Sequence, residues 1–402
     1  MAEREASRFG ERVLAPWSAG VSMVVIMLSV LSIPLAAASQ LELSPEEVTA
    51  WILVLFGLGG LLALVLSVLY RQPLLVTGNV FIMIFVASLG TQLSWSELVG
   101  ASLLAGGFVL LFGALGLTGR LALWLPAPIV YGLLAGAILP FFIDLFVALG
   151  EEPVPVGIIL GTYLVGALLL GGRVPPILPA MVVGFAVGAV TGDVRVIPEG
   201  AAFSVPAVTI PVFSLDAMLA ATPVMVVLIT LQANVPSIAF LKGQGYTPPE
   251  RVVTMVSGVG TLAGSLLGPI GISLSLPATA MVGGEASGDR DVRYWVASLV
   301  GLAALLVGIF APFAAEFAGS VPQPLLDAVV GLAVIGVLAN ALRAATRGPL
   351  VLGPMFAFAV SLSGLSLFGL GPFFWALALG LVASFFLEGA GWKELRQDES
   401  AS

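Results

Sequence analysis

The residues best suited to chemistry in this chain are neutral. Gln232 and Asn234 stand in the middle of a long apolar run, where a bare amide is costly unless paired, so each must bond to a ligand, a neighbouring helix or irregular backbone. Two other stretches, YRQPLLVTGNVF (Tyr70 to Phe81) and GPIGISLSLPATA (Gly268 to Ala280), open too polar and too broken for a continuous helix. ISLSLP alternates like a short strand, and Pro277 suits the first turn of a new helix. Asn79, after Gly78, suits a helix cap. Each stretch therefore predicts a short strand followed by a half-helix that starts near mid-membrane. Facing helix starts offer unpaired N–H groups and positive dipole ends, which suit an anion. Apart from Arg293, at the very start of the span 292–315, no Lys or Arg falls inside a predicted span, so the backbone would carry that recognition. Thr77, Gly78, Asn79, Ser273, Ser275 and Thr279 flank the two starts and join Gln232 and Asn234 as candidate substrate-binding residues.

The elements around these residues must be membrane helices. The chain is 59% hydrophobic and 9% charged, with a mean hydropathy of +1.12, against about 25% charged residues in a soluble domain. Its 48 glycines and 27 prolines suit close helix packing and helix breaks. It has no cysteine and no histidine, which excludes thiol chemistry, histidine-ligated metals, haem and histidine triads; no cofactor and no metal site is expected. The net charge of −8 argues against nucleic acid and against an anionic-lipid anchor. The opening MAEREASRFGER mixes both signs and reads as a cytosolic tail.

A span needs about 20 apolar residues. Fourteen are read, at 13–37, 48–69, 73–89, 98–118, 121–148, 154–171, 175–191, 215–240, 252–268, 270–284, 292–315, 322–342, 349–366 and 371–388. With the N-terminus in the cytoplasm, 14 of the 15 basic residues fall inside and only Arg195 outside. So one-sided a split fits the positive-inside rule and puts both termini in the cytoplasm of a cell (inner) membrane protein.

The chain also echoes itself. MVVIMLSVLSIP (Met23 to Pro34) returns as MVVLITLQANVP (Met225 to Pro236), Ala101-Ser102-Leu103 as Ala297-Ser298-Leu299, and PAPIV (Pro126 to Val130) as PQPLL (Pro322 to Leu326). Seven spans per copy is odd, so the second copy enters the membrane upside down. The expected fold is an all-α membrane protein of two inverted seven-span repeats, 1–204 and 205–402, with spans three and ten broken into strand and half-helix and the substrate site where the repeats meet. The echo pairs Ser32 with Asn234, so Ser29 and Ser32 join the cavity candidates. It also matches Tyr131 with Asp327, and both are read as gate or proton-coupling candidates facing the core, since an intramembrane acid is a functional hypothesis by default. Asp144 and Asp216 lie near outer span ends, where water would solvate them. Gly57-Leu58-Gly59-Gly60, Gly106-Gly107 and Gly184 with Gly188 read as close-packing positions.

Tyr70-Arg71-x-Pro73, the stretch QANVPSIAFLKGQGY (Gln232 to Tyr246), PIG (Pro269 to Gly271) and GDRDVRYW (Gly288 to Trp295) resemble the benzoate:proton symporter family, which is related to uracil and anion transporters with a seven-plus-seven inverted repeat. The resemblance implies a core domain (13–118 with 215–318), a gate domain (121–192 with 322–388), substrate between the span-three and span-ten half-helices, and a homodimer through the gate. Where the family carries a Trp-Ser-Thr-Pro-Gly run, this chain has Gly78-Asn79-Val80-Phe81-Ile82. Where the uracil relatives place span-eight glutamates, it has Gln232 and Asn234. The expected function is secondary transport, not enzymatic catalysis, of a small organic anion such as a benzoate-like carboxylate, with the proton as coupling ion. An uncoupled anion channel or facilitator, and a nucleobase or inorganic-anion transporter of the same fold, are the alternatives.

Overall fold

The computed structural model describes residues 20, 30–90, 92–118, 126–169, 176–191, 206–284, 287–313, 322–368 and 370–394. It is mostly helical. In chain order the helices are α1 (Ser32–Gln40), α2 (Pro45–Tyr70), α3 (Val80–Leu89), α4 (Trp95–Leu115), α5 (Ala127–Glu151), α6 (Pro153–Leu169), α7 (Ile177–Thr191), α8 (Leu215–Gly243), α9 (Glu250–Ser265), α10 (Leu276–Gly283), α11 (Arg293–Ile309), α12 (Gln323–Ala345), α13 (Leu352–Leu362) and α14 (Pro372–Leu387). Among the described residues, six helical stretches are long and apolar enough to cross a membrane. The chain is a multi-pass membrane protein.

Local sequence explains where these helices start and stop. Ser44 with Glu47 and Ser94 with Glu97 form capping boxes at the starts of α2 and α4, each satisfying two otherwise orphaned donors. Arg71 takes a left-handed conformation with φ of 51° and ends α2 just before Gln72-Pro73. Two helices are locally wider than α: Leu53–Leu58 in α2 and Leu228–Asn234 in α8 are π-helical, a distortion that concentrates at functional sites.

Strand β1 (Val76–Gly78) precedes α3, and strand β2 (Ile272–Leu274) precedes α10. They pair antiparallel, with Val76 opposite Leu274, Thr77 opposite Ser273 and Gly78 opposite Ile272. The predicted strand-plus-half-helix form of both stretches is what the structure contains. β1 lies directly against the π-helical part of α2. A methyl group on Gly78 would sit 2.5 Å from Leu55 Cδ2, and one on Gly59 would sit 3.0 Å from Thr77 Cα, so both glycines are needed for this approach.

The helices pack chiefly as α2 with α11, α4 with α9, α5 with α12 and α13, α6 with α7, and α13 with α14. The main apolar core gathers around Trp51, Ile82, Phe85, Leu98, Met225 and Ile229. A second, smaller core lies between α5, α6, α7 and α12 around Leu145, Ile159 and Leu332.

Candidate functional site

The site is built around the strand pair. Backbone at membrane depth must have its polar groups satisfied, and the lead-in to α10 is served almost group by group. The Trp51 indole N–H donates to Pro269 O at 2.8 Å. Ser102 Oγ accepts from Ile270 N at 3.0 Å and donates to Ile270 O at 2.6 Å. Thr261 Oγ1 accepts from Ile272 N at 2.9 Å, and Asn234 Oδ1 accepts from Leu274 N at 2.8 Å. Asn79 N donates to Gly271 O, and Ser275 N to Leu75 O. Gly268, at φ of 150°, makes the turn into this segment with Trp51 packed on it.

The two half-helices begin differently. Asn79 caps α3: its Oδ1 accepts from Phe81 N at 3.0 Å and Ile82 N at 3.3 Å. Its Nδ2 reaches Leu228 O at 3.0 Å, Ser273 Oγ at 3.2 Å and Gln232 Oε1 at 3.3 Å. Two amide hydrogens thus face three acceptors, joining α3, the π-helical part of α8 and β2. By contrast, Ser275 makes no side-chain cap at the start of α10, and Pro277 brings no N–H. The first-turn N–H groups of Leu276 and Ala278 have no acceptor within their helix. Thr279 Oγ1, in a fully buried residue, has no hydrogen-bond partner among the described residues.

A cavity of about 90 Å³ lies at this junction. Thr77, Gly78 and Val80 border it from the α3 side, and Ser275 and Ala278 from the α10 side. Its remaining described lining is apolar or glycine.

The predicted residues therefore separate into groups. Thr77, Gly78 and Ser275 border the cavity. Asn79, Gln232, Asn234 and Ser273 form or adjoin the amide network behind it. Asn234 is fully buried, and its Nδ2 donates to Ser257 Oγ at 3.0 Å, so its polar atoms are committed to protein. Gln232 is half-buried. Asn79 holds its Oε1, and among the described residues its Nε2 has no hydrogen-bond partner. Ser32 opens α1; its side chain, and Ser29 altogether, lie outside the described residues.

The structure does not bring Tyr131 and Asp327 together. α5 and α12 pack with Gly331 against Phe141 and Leu145, and the charges nearest Asp327 are Asp144 and Glu151. Tyr131 lies 13 residues before Asp144 on α5 (144 − 131), roughly 20 Å along the helix. Positions matched by the echo fall at opposite ends of an antiparallel pair. Asp327 Oδ1 instead accepts from Gln323 Nε2 at 2.8 Å, and Gln323 Oε1 accepts from Ser39 Oγ at 2.9 Å, tying α12 to α1. Asp216, expected to be solvated, accepts from Gly371 N at 3.0 Å. Sequence reasoning missed Trp51, Ser102 and Thr261 as supports of the α10 lead-in; their signal is a hydrogen-bonding side chain within an apolar helix.

The family model described as benzoate membrane transport protein matches residues 12–386. The benzoate membrane transport protein of Acinetobacter baylyi is 28% identical over 357 residues, covering 87% of this chain and 89% of that protein. The inner membrane protein YdcO of Escherichia coli is 26% identical over 337 residues, covering 83% and 85%. Among solved structures, the transmembrane domain of the cyanobacterial bicarbonate transporter BicA aligns with a TM-score of 0.55 at 16% identity, covering 93% of this chain and 97% of that one. The murine anion transporter Slc26a9 in its inward-facing state aligns at 0.57 and 15% identity, covering 94% and 68%. The two solved structures share the fold, and the match over nearly the whole length fixes the family: this chain belongs to the benzoate membrane transport protein family.

Proposed function

We propose that the protein is a secondary transporter of a small organic anion with an apolar body, a benzoate-like aromatic carboxylate, working by alternating access and coupled to protons. The observation that carries this reading is the uncapped start of α10 beside an apolar cavity. Helix N-termini attract anions through unpaired N–H groups and the dipole, and an apolar wall suits an aromatic ring. The carboxylate takes the first-turn N–H groups of α10 and Nε2 of Gln232. Thr77 and Ser275 supply hydroxyls, while Asn79, Asn234 and Ser273 hold the frame. Ser29, Ser32 and Thr279 complete the proposed lining.

The reading includes fourteen spans in two inverted repeats, a core domain carrying β1–α3 and β2–α10, and a gate domain built on α5–α7 and α12–α14. Both termini face the cytoplasm of the inner membrane, and the gate is the proposed dimer contact. The antiparallel β1–β2 pair supports the inverted arrangement. The substrates named for the relatives, benzoate for one and bicarbonate or anions for the structural neighbours, support an anionic substrate.

Uptake of radiolabelled benzoate into proteoliposomes with an imposed proton gradient tests this. Accumulation above the equilibrium level is expected. Failure to accumulate benzoate or any of a panel of aromatic carboxylates sinks the reading. A second reading, an uncoupled facilitator, is favoured by one feature: among the described residues, no titratable side chain borders the cavity. It predicts equilibration without accumulation, and counterflow exchange separates such a carrier from a pore.

A further inference from the structure

One wall of the cavity is built from two helices in backbone contact. Gly60 of α2 and Gly301 of α11 both border the cavity. A methyl group on Gly60 would lie 2.5 Å from Gly301 O and from Leu305 N, and one on Gly301 would lie 2.8 Å from Gly60 O and from Leu64 N. The helices cannot come closer, and they leave no room for a side chain at the crossing. One turn on from each glycine, Ala63 and Ala304 also border the cavity and are buried. The rest of the apolar rim includes Phe56 and Met83, whose side chains can change rotamer. The crossing itself has no such freedom: where Gly60, Ala63, Gly301 and Ala304 border the cavity, the surface is backbone and single methyl groups, and a close-packed interior yields little to an oversized guest.

We propose that this wall sets the length limit of the substrate and that Ala304 is its specificity-determining residue. The proposal rests on the cavity being the anion's site. With the carboxylate at the start of α10, the far end of the ring meets the α2–α11 crossing. A substituent there has to displace fixed backbone, whereas a bulge toward Phe56 or Met83 is absorbed by side-chain movement. Position 304, whose methyl group packs beside Gly60, is the place where volume can be added or removed while both glycines are kept. Each methylene that fits or fails in an apolar pocket changes discrimination by about tenfold or more.

The test uses the purified full-length protein in proteoliposomes. Inhibition of radiolabelled benzoate uptake is measured for benzoates carrying methyl, ethyl or propyl groups at the para position, in wild type, Ala304→Gly and Ala304→Val. Wild type is expected to show a length at which inhibition falls sharply. Ala304→Gly should move that limit one substituent longer, and Ala304→Val one shorter, with affinity for unsubstituted benzoate changed much less than affinity for the longest acids. Ala304→Gly carries the test alone if the valine variant fails to fold, judged by a monodisperse gel-filtration profile. If all inhibition constants move by one common factor, or the limit stays put in every folded variant, Ala304 does not determine specificity although the site reading stands. If no member of the series inhibits wild type, the site reading itself falls and this proposal with it.

Discussion

The carboxylate of Asp216, in the first turn of α8, accepts a 3.0 Å hydrogen bond from the backbone N–H of Gly371, the N-cap of α14. Two helices far apart in sequence are thereby joined by an acid at a helix start, where the dipole favours negative charge. Replacing Asp216 by Ala removes the acceptor, and amide exchange in the peptide that begins at Gly371 should quicken several-fold. Asp216→Asn keeps a carbonyl oxygen in place and should stay close to wild type. Hydrogen–deuterium exchange by mass spectrometry distinguishes them.

Asn79→Ala removes the cap of α3 and leaves Leu228 O and Ser273 Oγ without their donor. A lost cap costs about 1 kcal/mol, and stranded buried partners add about 1–3 kcal/mol. Thermal unfolding in detergent should drop clearly. Asn79→Asp retains the cap but turns a charged acceptor toward Leu228 O and Gln232 Oε1, so it too should melt below wild type.

Gln232→Ala should raise the KM for the anion about tenfold or more, the effect of losing one hydrogen bond to a charged group, with expression and unfolding temperature unchanged. Gln232→Glu places like charge beside the substrate and should abolish uptake. Unaltered KM in both variants removes Gln232 from the site. Asn234→Ala should instead lower stability along with transport, because Leu274 N and Ser257 lose their partner.

Asp327→Asn should flatten the pH dependence of uptake if this residue carries the proton. Asp144 and Glu151 are its nearest charges, so Asp144→Asn should shift the same profile. Uptake measured at a series of external pH values decides this, and an unchanged profile in the Asp327 variant excludes it.

Glu388 closes the start of α13, accepting from the backbone N–H groups of Val351, Leu352 and Gly353, at 2.7 Å from Leu352 and 3.0 Å from Gly353. Burial pushes its carboxyl up, but these N–H groups and Ser384 outweigh that and hold it below the ordinary carboxylate value. A depressed acid stabilises the fold above its unfolded pKa of about 4.3, and this support is lost as the pH falls through the lower folded value. Wild type should lose part of its unfolding temperature between about pH 5 and its acid limit. Glu388→Gln should start lower at neutral pH and lose less over that interval, as read in detergent by a pH series of melts.

What the sequence made legible is local. Asn79 after Gly78 announced a cap, Pro277 announced a first turn, and ISLSLP announced a strand, because each depends on neighbours within a few residues. The destination of a buried side chain depends on the tertiary arrangement. Asn234 was visible as an expensive amide, but its partner, Leu274 N, lies 40 residues away. Ser102 was visible only as part of a repeated Ala-Ser-Leu, although it bonds to both polar groups of Ile270. The matching of Tyr131 with Asp327 compared equivalent positions in two copies, and equivalence places them at opposite ends of an antiparallel helix pair.

The strand pair also has a consequence for synthesis. β1 finds its hydrogen-bonding partner in β2, so Gly78 emerges from the ribosome 194 residues ahead of Ile272 (272 − 78). Until then its backbone has no acceptor of its own in the lipid, where each unsatisfied group costs several kcal/mol. The segment that carries β1 must therefore wait in a polar or chaperoned setting until β2 is made. Assembly of the core is a late event, triggered when the second half delivers the missing strand.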